Sequence, residues 1–199
     1  MDEEMVALFE NALRAAEERL SGALGEQCRV RIALDIDEGL LEAIQQIERE
    51  MFRPELRYTA EELEARRREG GFVLFQVVRG GRVIAFLFGY TESTDTPIFF
   101  LDTVATLVEG KGLGSMLVSL ALLYCYDTGY GSVELFTEEE DEKGRRLADF
   151  YGNFGFSVVY RDPAKGIRLR NLLDPEVLRD IYREYIEKTE SPRDFQLSR

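Results

Sequence analysis

The spacing of apolar residues changes at one glycine-rich segment, Glu109–Ser115, and no other feature constrains the fold as much. Before this segment, runs of β-branched and aromatic residues predict three strands at 72–78, 83–90 and 98–106. After it, apolar residues cover nearly every face of a helix that begins at residue 113, which is typical of a buried helix. The chain must therefore place a buried helix directly after a strand.

Short turns join the three strands, so we expect them to form an antiparallel meander. Gly80-Gly81 separates the first two strands, and glycines readily adopt the positive φ angles of a two-residue hairpin. Residues 91–97, which contain several turn formers, connect the second strand to the third.

Periodicity and capping signals place the remaining elements. Helices are predicted at 3–20, 38–51, 59–69 and 143–154, with Ser21-Gly22 ending the first, and a terminal helix follows the N-cap and proline of Asp174-Pro175. Strands are predicted at 28–34, 133–137, 156–160 and 167–171. This order predicts an α+β fold, with a mixed, mostly antiparallel central sheet flanked by helices. We expect one domain over 1–199, with a core at about 28–171 and extra terminal helices at about 3–20 and 175–188.

The charge of the chain limits its partners. It carries 38 acidic and 25 basic residues, a net charge of −13. Nucleic acid and anionic membranes bind basic surfaces, so neither is expected as a partner. The charge favours a cationic partner such as an amine, with a generally acidic, solvated surface as an equal alternative. The longest apolar stretch, 113–126, is too short for a membrane span, and the acidic N-terminus does not resemble a secretion signal.

The sequence contains no histidine, which excludes any mechanism that needs a histidine base or ligand. Cys28 and Cys125 lie far apart in apolar surroundings and form no CxxC pair. Buried thiols are therefore favoured over zinc ligands or a disulfide. No metal is expected, and this use of cysteine favours a cytoplasmic protein.

Glu109–Ser115 has the composition of a phosphate-binding loop. Glycines allow close approach of the backbone to a ligand, and the first N–H groups of the following helix have no partner within the helix. The helix dipole and Lys111 would add positive charge. The alternative is a plain tight turn. Two other phosphate motifs fit poorly, because a P-loop needs Ser or Thr where Gly112 stands and a dinucleotide fingerprint needs glycine where Ser115 stands.

Together with a second motif downstream, this segment resembles the coenzyme A loop of the GNAT superfamily of N-acetyltransferases. That loop reads Q/R-x-x-G-x-G/A, and Gly112 and Gly114 occupy its two glycine positions. The family's helix ending in Tyr-x-x-x-Gly-Phe is present as Tyr151–Phe156. The predicted order of elements is also similar over roughly 28–171. The resemblance implies a GNAT-like fold that transfers an acetyl group from acetyl-CoA, or from another acyl-CoA, to a small-molecule or peptide amine by direct attack.

The resemblance also implies roles for individual residues in cofactor binding. The pyrophosphate would bind the backbone amides of Gly110, Lys111, Gly112, Leu113, Gly114 and Ser115. The strand before the loop would bind the pantetheine arm through the backbone of Val104, Ala105 and Thr106. The Val104 N–H would lie near the thioester carbonyl, where it would stabilise the developing oxyanion. Ordinary strand packing is the alternative for these three residues.

Three residues are candidates for proton transfer. Tyr151 corresponds to the family's frequent general acid, which protonates the departing thiolate, and its alternative is packing on an apolar helix face. The family has no fixed base. Asp102 is the first candidate because it is expected to share a strand face with Val104, two residues away. Glu134, on the following strand, is the second, and either carboxylate could instead be solvated or paired.

The sequence departs from the family at two places. Glu109 stands where the family has Gln or Arg, and Lys143-Gly144 lie where an asparagine is frequent. Because of these departures, a second hypothesis stands beside the first: a non-catalytic module that binds acyl-CoA as a sensor or docking surface. A third hypothesis is an interaction domain whose glycine loop is structural. The apolar face of the N-terminal helix could pack internally or pair two copies as a homodimer.

Overall fold

A seven-stranded mixed sheet forms the centre of the molecule. The computed structural model describes residues 3–93, 95–141 and 144–187, and its strand order is β1-β2-β3-β4-β5-β7-β6. The strands are β1 (Cys28–Ala33), β2 (Val73–Arg79), β3 (Arg82–Ser93), β4 (Ile98–Thr106), β5 (Ser132–Thr137), β6 (Ser157–Asp162) and β7 (Gly166–Asn171). Of the neighbouring pairs in this described sheet, β4 and β5 run parallel and the others run antiparallel.

Helices cover both faces of the sheet. They are α1 (Glu3–Leu24), α2 (Glu38–Met51), α3 (Ala60–Arg67), α4 (Leu113–Asp127), α5 (Leu147–Gly152) and α6 (Pro175–Ile181), with a 3-10 turn at Pro54–Leu56 and a π-helix at Tyr182–Glu187. One buried cluster joins α1, α4, α5 and α6 to the face that we call the α4 face. A second cluster joins α2 and α3 to the opposite face, the α2 face. This arrangement confirms the predicted α+β fold with a mostly antiparallel mixed sheet.

The apolar face of α1 packs internally. Ala12, Ala16 and Leu20 are at most 1% exposed and belong to the cluster that contains α4. Small residues at two of these positions allow close approach of the helices.

Local signals for turns and caps are confirmed. Gly80 and Gly81 have φ angles of 54° and 80°, as a two-residue hairpin requires. Thr59 and Glu62 form a reciprocal capping box at the start of α3. Asp174 accepts hydrogen bonds from the N–H groups of the first turn of α6.

The predicted end of α1 and the predicted start of α5 are wrong. α1 continues past Ser21 to Leu24, because the Ser21 hydroxyl bonds to the Glu17 carbonyl and also accepts from the Cys28 N–H. α5 begins at Leu147, because the Arg145 carbonyl before it accepts from the Asp141 N–H and not from a helical partner. The predicted start at Lys143 lies outside the described residues.

The parallel strands β4 and β5 diverge along their length. They pair at Ile98–Phe100 with Ser132–Glu134, and the pairing stops there. Beyond that point β4 stays paired with β3 and β5 stays paired with β7. Each strand thus keeps its outer neighbour and loses its inner one. We call the resulting space the β4–β5 gap, bounded by 101–106 of β4 and 135–137 of β5.

A β-bulge lies in β4 at the edge of this gap. Phe88 of β3 pairs with Thr103 and Gly89 pairs with Leu101, so the intervening Asp102 has no opposite residue on β3. The extra residue reverses the alternation of side chains. Asp102 bonds to Tyr58 on the α2 face, whereas Val104 packs into the cluster of the α4 face. The expectation that Asp102 and Val104 share a strand face is therefore wrong.

None of the helices within the described residues has the length and apolar character needed to cross a membrane. Those residues also contain no group of three or more His, Cys, Asp or Glu side chains placed to hold a metal ion.

Candidate active site

The glycine loop opens directly into the N-terminus of α4. Gly110 and Gly112 have φ angles of 69° and 74°, a left-handed conformation that residues with a Cβ rarely adopt. Gly112 is the N-cap of α4 and supplies no side-chain cap. The first intrahelical bond at this end runs from the Met116 N–H to the Gly112 carbonyl. The amides of Leu113, Gly114 and Ser115 therefore have no partner within the helix, and the dipole adds positive potential there.

The protein itself does not require glycine at position 114. This residue lies inside α4, where an added Cβ would meet Thr106 Cγ2 at 3.8 Å, an ordinary van der Waals distance. Gly114 also lacks the positive φ of Gly110 and Gly112. Because Gly114 has no side chain, no atoms project beyond the backbone at this point of the helix N-terminus. A ligand can therefore approach the backbone amides closely.

The structure places the two charged residues of the loop at the surface. Lys111 is exposed beside the helix N-terminus. A carboxylate oxygen of Glu109 lies 4.0 Å from the Arg145 guanidinium, which also pairs with Asp141. Arg145 thus places a cation beside Glu109, at the position where the family has Gln or Arg.

The second half of β4 lines the β4–β5 gap. Val104, Ala105 and Thr106 pair with Leu87, Phe86 and Ala85 of β3, and no described strand pairs with their other edge. In an antiparallel pair, alternate backbone groups point away from the partner strand. Backbone donors and acceptors of this segment are therefore available toward the gap, next to the glycine loop.

Tyr151 lies on α5 at the α4 face. Its ring makes edge-to-face contacts with Phe150 and Phe156, and the residue is 7% exposed. Burial raises the pKa of Tyr151 to about 12, so the phenol keeps its proton even at alkaline pH. The described part of the chain provides no hydrogen-bond partner for its hydroxyl. Both the packing role and the proton-donor role predicted for Tyr151 fit this environment.

Asp102 lies in a buried polar cluster on the α2 face. The Tyr58 hydroxyl donates to its Oδ1 at 2.6 Å, and Arg66 Nε lies 3.0 Å from Oδ2 as an ion pair without hydrogen-bond geometry. The Arg66 guanidinium also sits over the rings of Tyr58 and Tyr90. The Asp102 side chain is 7% exposed. Burial raises the pKa of Asp102, although the Tyr58 hydrogen bond and the Arg66 charge lower it.

Glu134 shares the α2 face with Asp102 but is held by two arginines. Its neighbours Val133 and Leu135 point into the cluster of the α4 face, so Glu134 points the other way. Arg168 and Arg170 of β7 each donate to one of its carboxylate oxygens, and Glu134 is 1% exposed. Both oxygens of this second base candidate thus have a cationic partner.

The proton-transfer candidates fall on opposite faces of the sheet. Asp102 and Glu134 lie on the α2 face, and Tyr151 packs on the α4 face. The β4–β5 gap is the place where strand pairing no longer separates the two faces.

Three residues near Asp102 were not predicted as site residues: Glu48, Tyr58 and Arg66. Tyr58 belongs to the segment between α2 and α3, where a Phe-Arg-Pro break is visible in the sequence. Glu48 shares the buried stripe of α2 with Ile44 and Ile47. A glutamate on an otherwise apolar helical face is a signal that could have identified it.

Comparisons with known proteins agree with this geometry. The model of the acetyltransferase (GNAT) family matches residues 40–156, more than half of the chain. Mycothiol acetyltransferase of Thermomonospora curvata is 31% identical over 113 residues, which make up 53% of this chain and 37% of that protein. The chain thus matches little more than a third of that relative's length.

Solved structures share the fold at low sequence identity. The ribosomal-protein-S18-alanine N-acetyltransferase of Escherichia coli has a TM-score of 0.57 and 15% identity, covering 73% of this chain and 94% of that chain. An aminoglycoside 6'-N-acetyltransferase in complex with coenzyme A has a TM-score of 0.60 and 15% identity, covering 73% of this chain and 98% of that chain. With the family match and the shared fold, the chain belongs to the GNAT acetyltransferase family.

Proposed function

We propose that this protein is an N-acetyltransferase that moves an acetyl group from acetyl-CoA to a primary amine by direct attack. The observation that carries the proposal is the β4–β5 gap, which opens beside the unpaired amides at the N-terminus of α4. An extended chain that ends in a pyrophosphate fits this pair of features, because the gap offers strand-edge hydrogen bonds and the helix N-terminus offers an anion site.

The cofactor-binding residues are those of β4 and the glycine loop. The backbone of Val104, Ala105 and Thr106 would bind the pantetheine arm in the gap. The pyrophosphate would bind the amides of 110–115, where Gly114 leaves the helix surface free of a side chain. Acetyl-CoA supplies an activated thioester, and no metal is required for its attack by an amine.

We assign proton transfer to one residue on each face. Asp102 accepts a proton from the attacking amine on the α2 face. The Val104 N–H donates to the carbonyl oxygen as negative charge develops there. Tyr151 donates its proton to the departing thiolate sulfur on the α4 face. With both carboxylate oxygens occupied by guanidinium groups, Glu134 serves to orient Arg168 and Arg170 instead of acting as the base.

The acceptor would be a small-molecule or peptide amine that approaches from the α2 face. Buried carboxylates on that face, and the net charge of −13, suit a cationic substrate. Two solved proteins with this fold are named for the N-acetylation of a ribosomal-protein alanine and of aminoglycosides.

A non-catalytic acyl-CoA-binding module is the second candidate. The observation that favours it is that both carboxylate oxygens of Asp102 already have a neighbour, the Tyr58 hydroxyl for one and the Arg66 guanidinium for the other. It predicts saturable binding of acetyl-CoA without transfer to any amine.

A turnover screen separates the two candidates. Release of free thiol from acetyl-CoA would be followed with polyamines, amino acids, aminoglycosides and peptides with free N-termini. The proposal expects amine-dependent thiol release from at least one class, with the acetylated amine detected by mass spectrometry. Thiol release that stays at the hydrolysis background with every amine, despite saturable acetyl-CoA binding, would support the non-catalytic module.

A further inference from the structure

Glu48 is a buried carboxylate that the proposed mechanism does not use. It lies on α2, is 1% exposed, and accepts the Tyr58 N–H through Oε2 at 3.0 Å. Its other oxygen, Oε1, is buried without a hydrogen-bond partner in the described part of the chain. A buried carboxylate oxygen without a donor is costly, so a purely structural position would favour an apolar residue.

Tyr58 forms hydrogen bonds to both Glu48 and Asp102. Its backbone N–H bonds to Glu48 and its hydroxyl bonds to Asp102 at 2.6 Å. The ring between these two contacts packs against Phe88 of the sheet. One residue thus fixes both carboxylates.

Negative charges outnumber positive charges around Glu48 and Asp102. Arg66 of α3 pairs with Asp102, and Glu62 of α3 adds like charge toward Glu48. Arg57 acts on Glu48 at a distance, and its Nε donates to the Phe52 carbonyl. On the Asp102 side, the Glu69 carboxylate adds like charge. Among the described residues, Asp102 therefore has a close guanidinium and Glu48 has none.

We propose that Glu48 is a positioning residue for Asp102. It fixes Tyr58, which bonds to the base, and it raises the affinity of Asp102 for the proton that the amine releases. The inference rests on the proposed function, in which Asp102 is the base. The proton moves from the amine nitrogen to a carboxylate oxygen of Asp102 as the new carbon–nitrogen bond forms. Above about pH 7, where Glu48 is ionised, its negative charge stabilises Asp102 in its protonated, neutral form, because two like charges in one buried cluster repel.

The chain offers a matched pair of variants. Glu48→Gln removes the charge and keeps an oxygen that can accept the Tyr58 N–H. Glu42→Gln makes the same change at an exposed position of the same helix. Neither residue is predicted to touch acetyl-CoA or the amine.

The test is a carbon-13 NMR titration of the carboxyl groups, which requires neither acetyl-CoA nor an acceptor. Because the pKa of Glu48 is raised to about 7, Glu48 titrates while Asp102 is still ionised. Asp102→Asn should therefore lower the pKa of Glu48 by about one unit relative to wild type. In Glu42→Gln the pKa of Glu48 should be unchanged. In Glu48→Gln, the change in the Asp102 carboxyl signal that accompanies Glu48 protonation near pH 7 should be absent. The Asp102→Asn measurement alone decides the question if Glu48→Gln does not fold.

A Glu48 titration that is the same in wild type and in Asp102→Asn would overturn the inference. The proposed function can fail separately, through the turnover screen, without changing these titrations. With an active amine, protonation of Glu48 should give the wild-type kcat/KM profile an inflection near pH 7 that is absent in Glu48→Gln. A purely structural role of Glu48 would lower activity without changing the shape of that profile.

Discussion

At the scale of single residues, burial keeps the Tyr151 phenol protonated well above neutral pH. A general acid for a thiolate must hold a proton at neutral pH and present an available donor. The pKa of about 12 meets the first requirement. The second is met within the described residues, where the hydroxyl has no competing acceptor. The surrounding aromatic contacts fix the ring in place.

Tyr151→Phe tests this role with little change in shape. We expect kcat to fall about 100-fold or more, because general acid catalysis typically contributes 10²–10⁴-fold. The Kd for acetyl-CoA should change by less than about threefold, since the phenol acts only on the leaving group. Steady-state kinetics and calorimetric titration check the two quantities.

Tyr124→Phe is the matched control for this change. Tyr124 lies on α4 and makes edge-to-face contacts with Phe9 and Phe75, away from the glycine loop. It should retain wild-type kcat within about twofold. A Tyr151→Phe enzyme as fast as Tyr124→Phe would remove Tyr151 from the mechanism.

At the scale of elements, the N-terminus of α4 acts as the anion site. Gly114→Glu adds a negative charge in the first turn, which is favourable for the helix itself and for its dipole. We therefore expect the free energy of unfolding to stay unchanged or to rise by up to ~1 kcal/mol. The same charge would repel a pyrophosphate, so acetyl-CoA affinity should fall roughly 10- to 100-fold. Urea denaturation and calorimetry measure the two effects.

Two substitutions at the same position separate charge from bulk. Gly114→Gln has nearly the size of glutamate without its charge, and should bind acetyl-CoA more tightly than Gly114→Glu. Gly114→Ala should leave acetyl-CoA binding almost unchanged, because the added Cβ lies at an ordinary van der Waals distance from Thr106. Equal binding by the glutamate and wild-type proteins would show that no anion sits at this end of α4.

Elements and turns could be predicted from the sequence where the signal is local. The bounds of α2 match the prediction at 38–51 and those of β4 at 98–106, because apolar periodicity and a following break mark both ends. The glycine positions of the loop could be read directly. The bulge at Asp102 could not, because it depends on the register between β3 and β4, which no local pattern determines. Its consequence is that Asp102 faces Tyr58 and not the side of Val104.

At the scale of the whole molecule, Glu48 links stability to pH. Burial raises its pKa from near 4.5 to about 7 in the folded protein. The folded state therefore binds more protons than the unfolded state between these two values, and this contribution to stability falls as the pH rises through them. It is fully present below pH 4.5 and fully lost above about pH 7. The cost comes from holding a charged group in a buried cluster.

Glu48→Gln should remove this dependence. We compare the free energy of unfolding of the variant with that of wild type. As the pH rises from 4.5 to 8, the difference should change by on the order of 3 kcal/mol, so that the variant becomes the more stable relative to wild type. Glu42→Gln should show no such trend. Urea denaturation at several pH values tests the expectation, and parallel curves for wild type and Glu48→Gln would contradict it.

The measurement that tests the central claim most directly is the unfolding temperature as a function of acetyl-CoA concentration, for wild type and for Gly114→Glu. If acetyl-CoA binds between the β4–β5 gap and the N-terminus of α4, a concentration of 100 times Kd should stabilise wild type by about 2.7 kcal/mol, or roughly 5–10 °C in Tm. At the same concentration Gly114→Glu should gain much less. A wild-type Tm that ignores millimolar acetyl-CoA, or an equal rise in Gly114→Glu, would contradict the binding site described above.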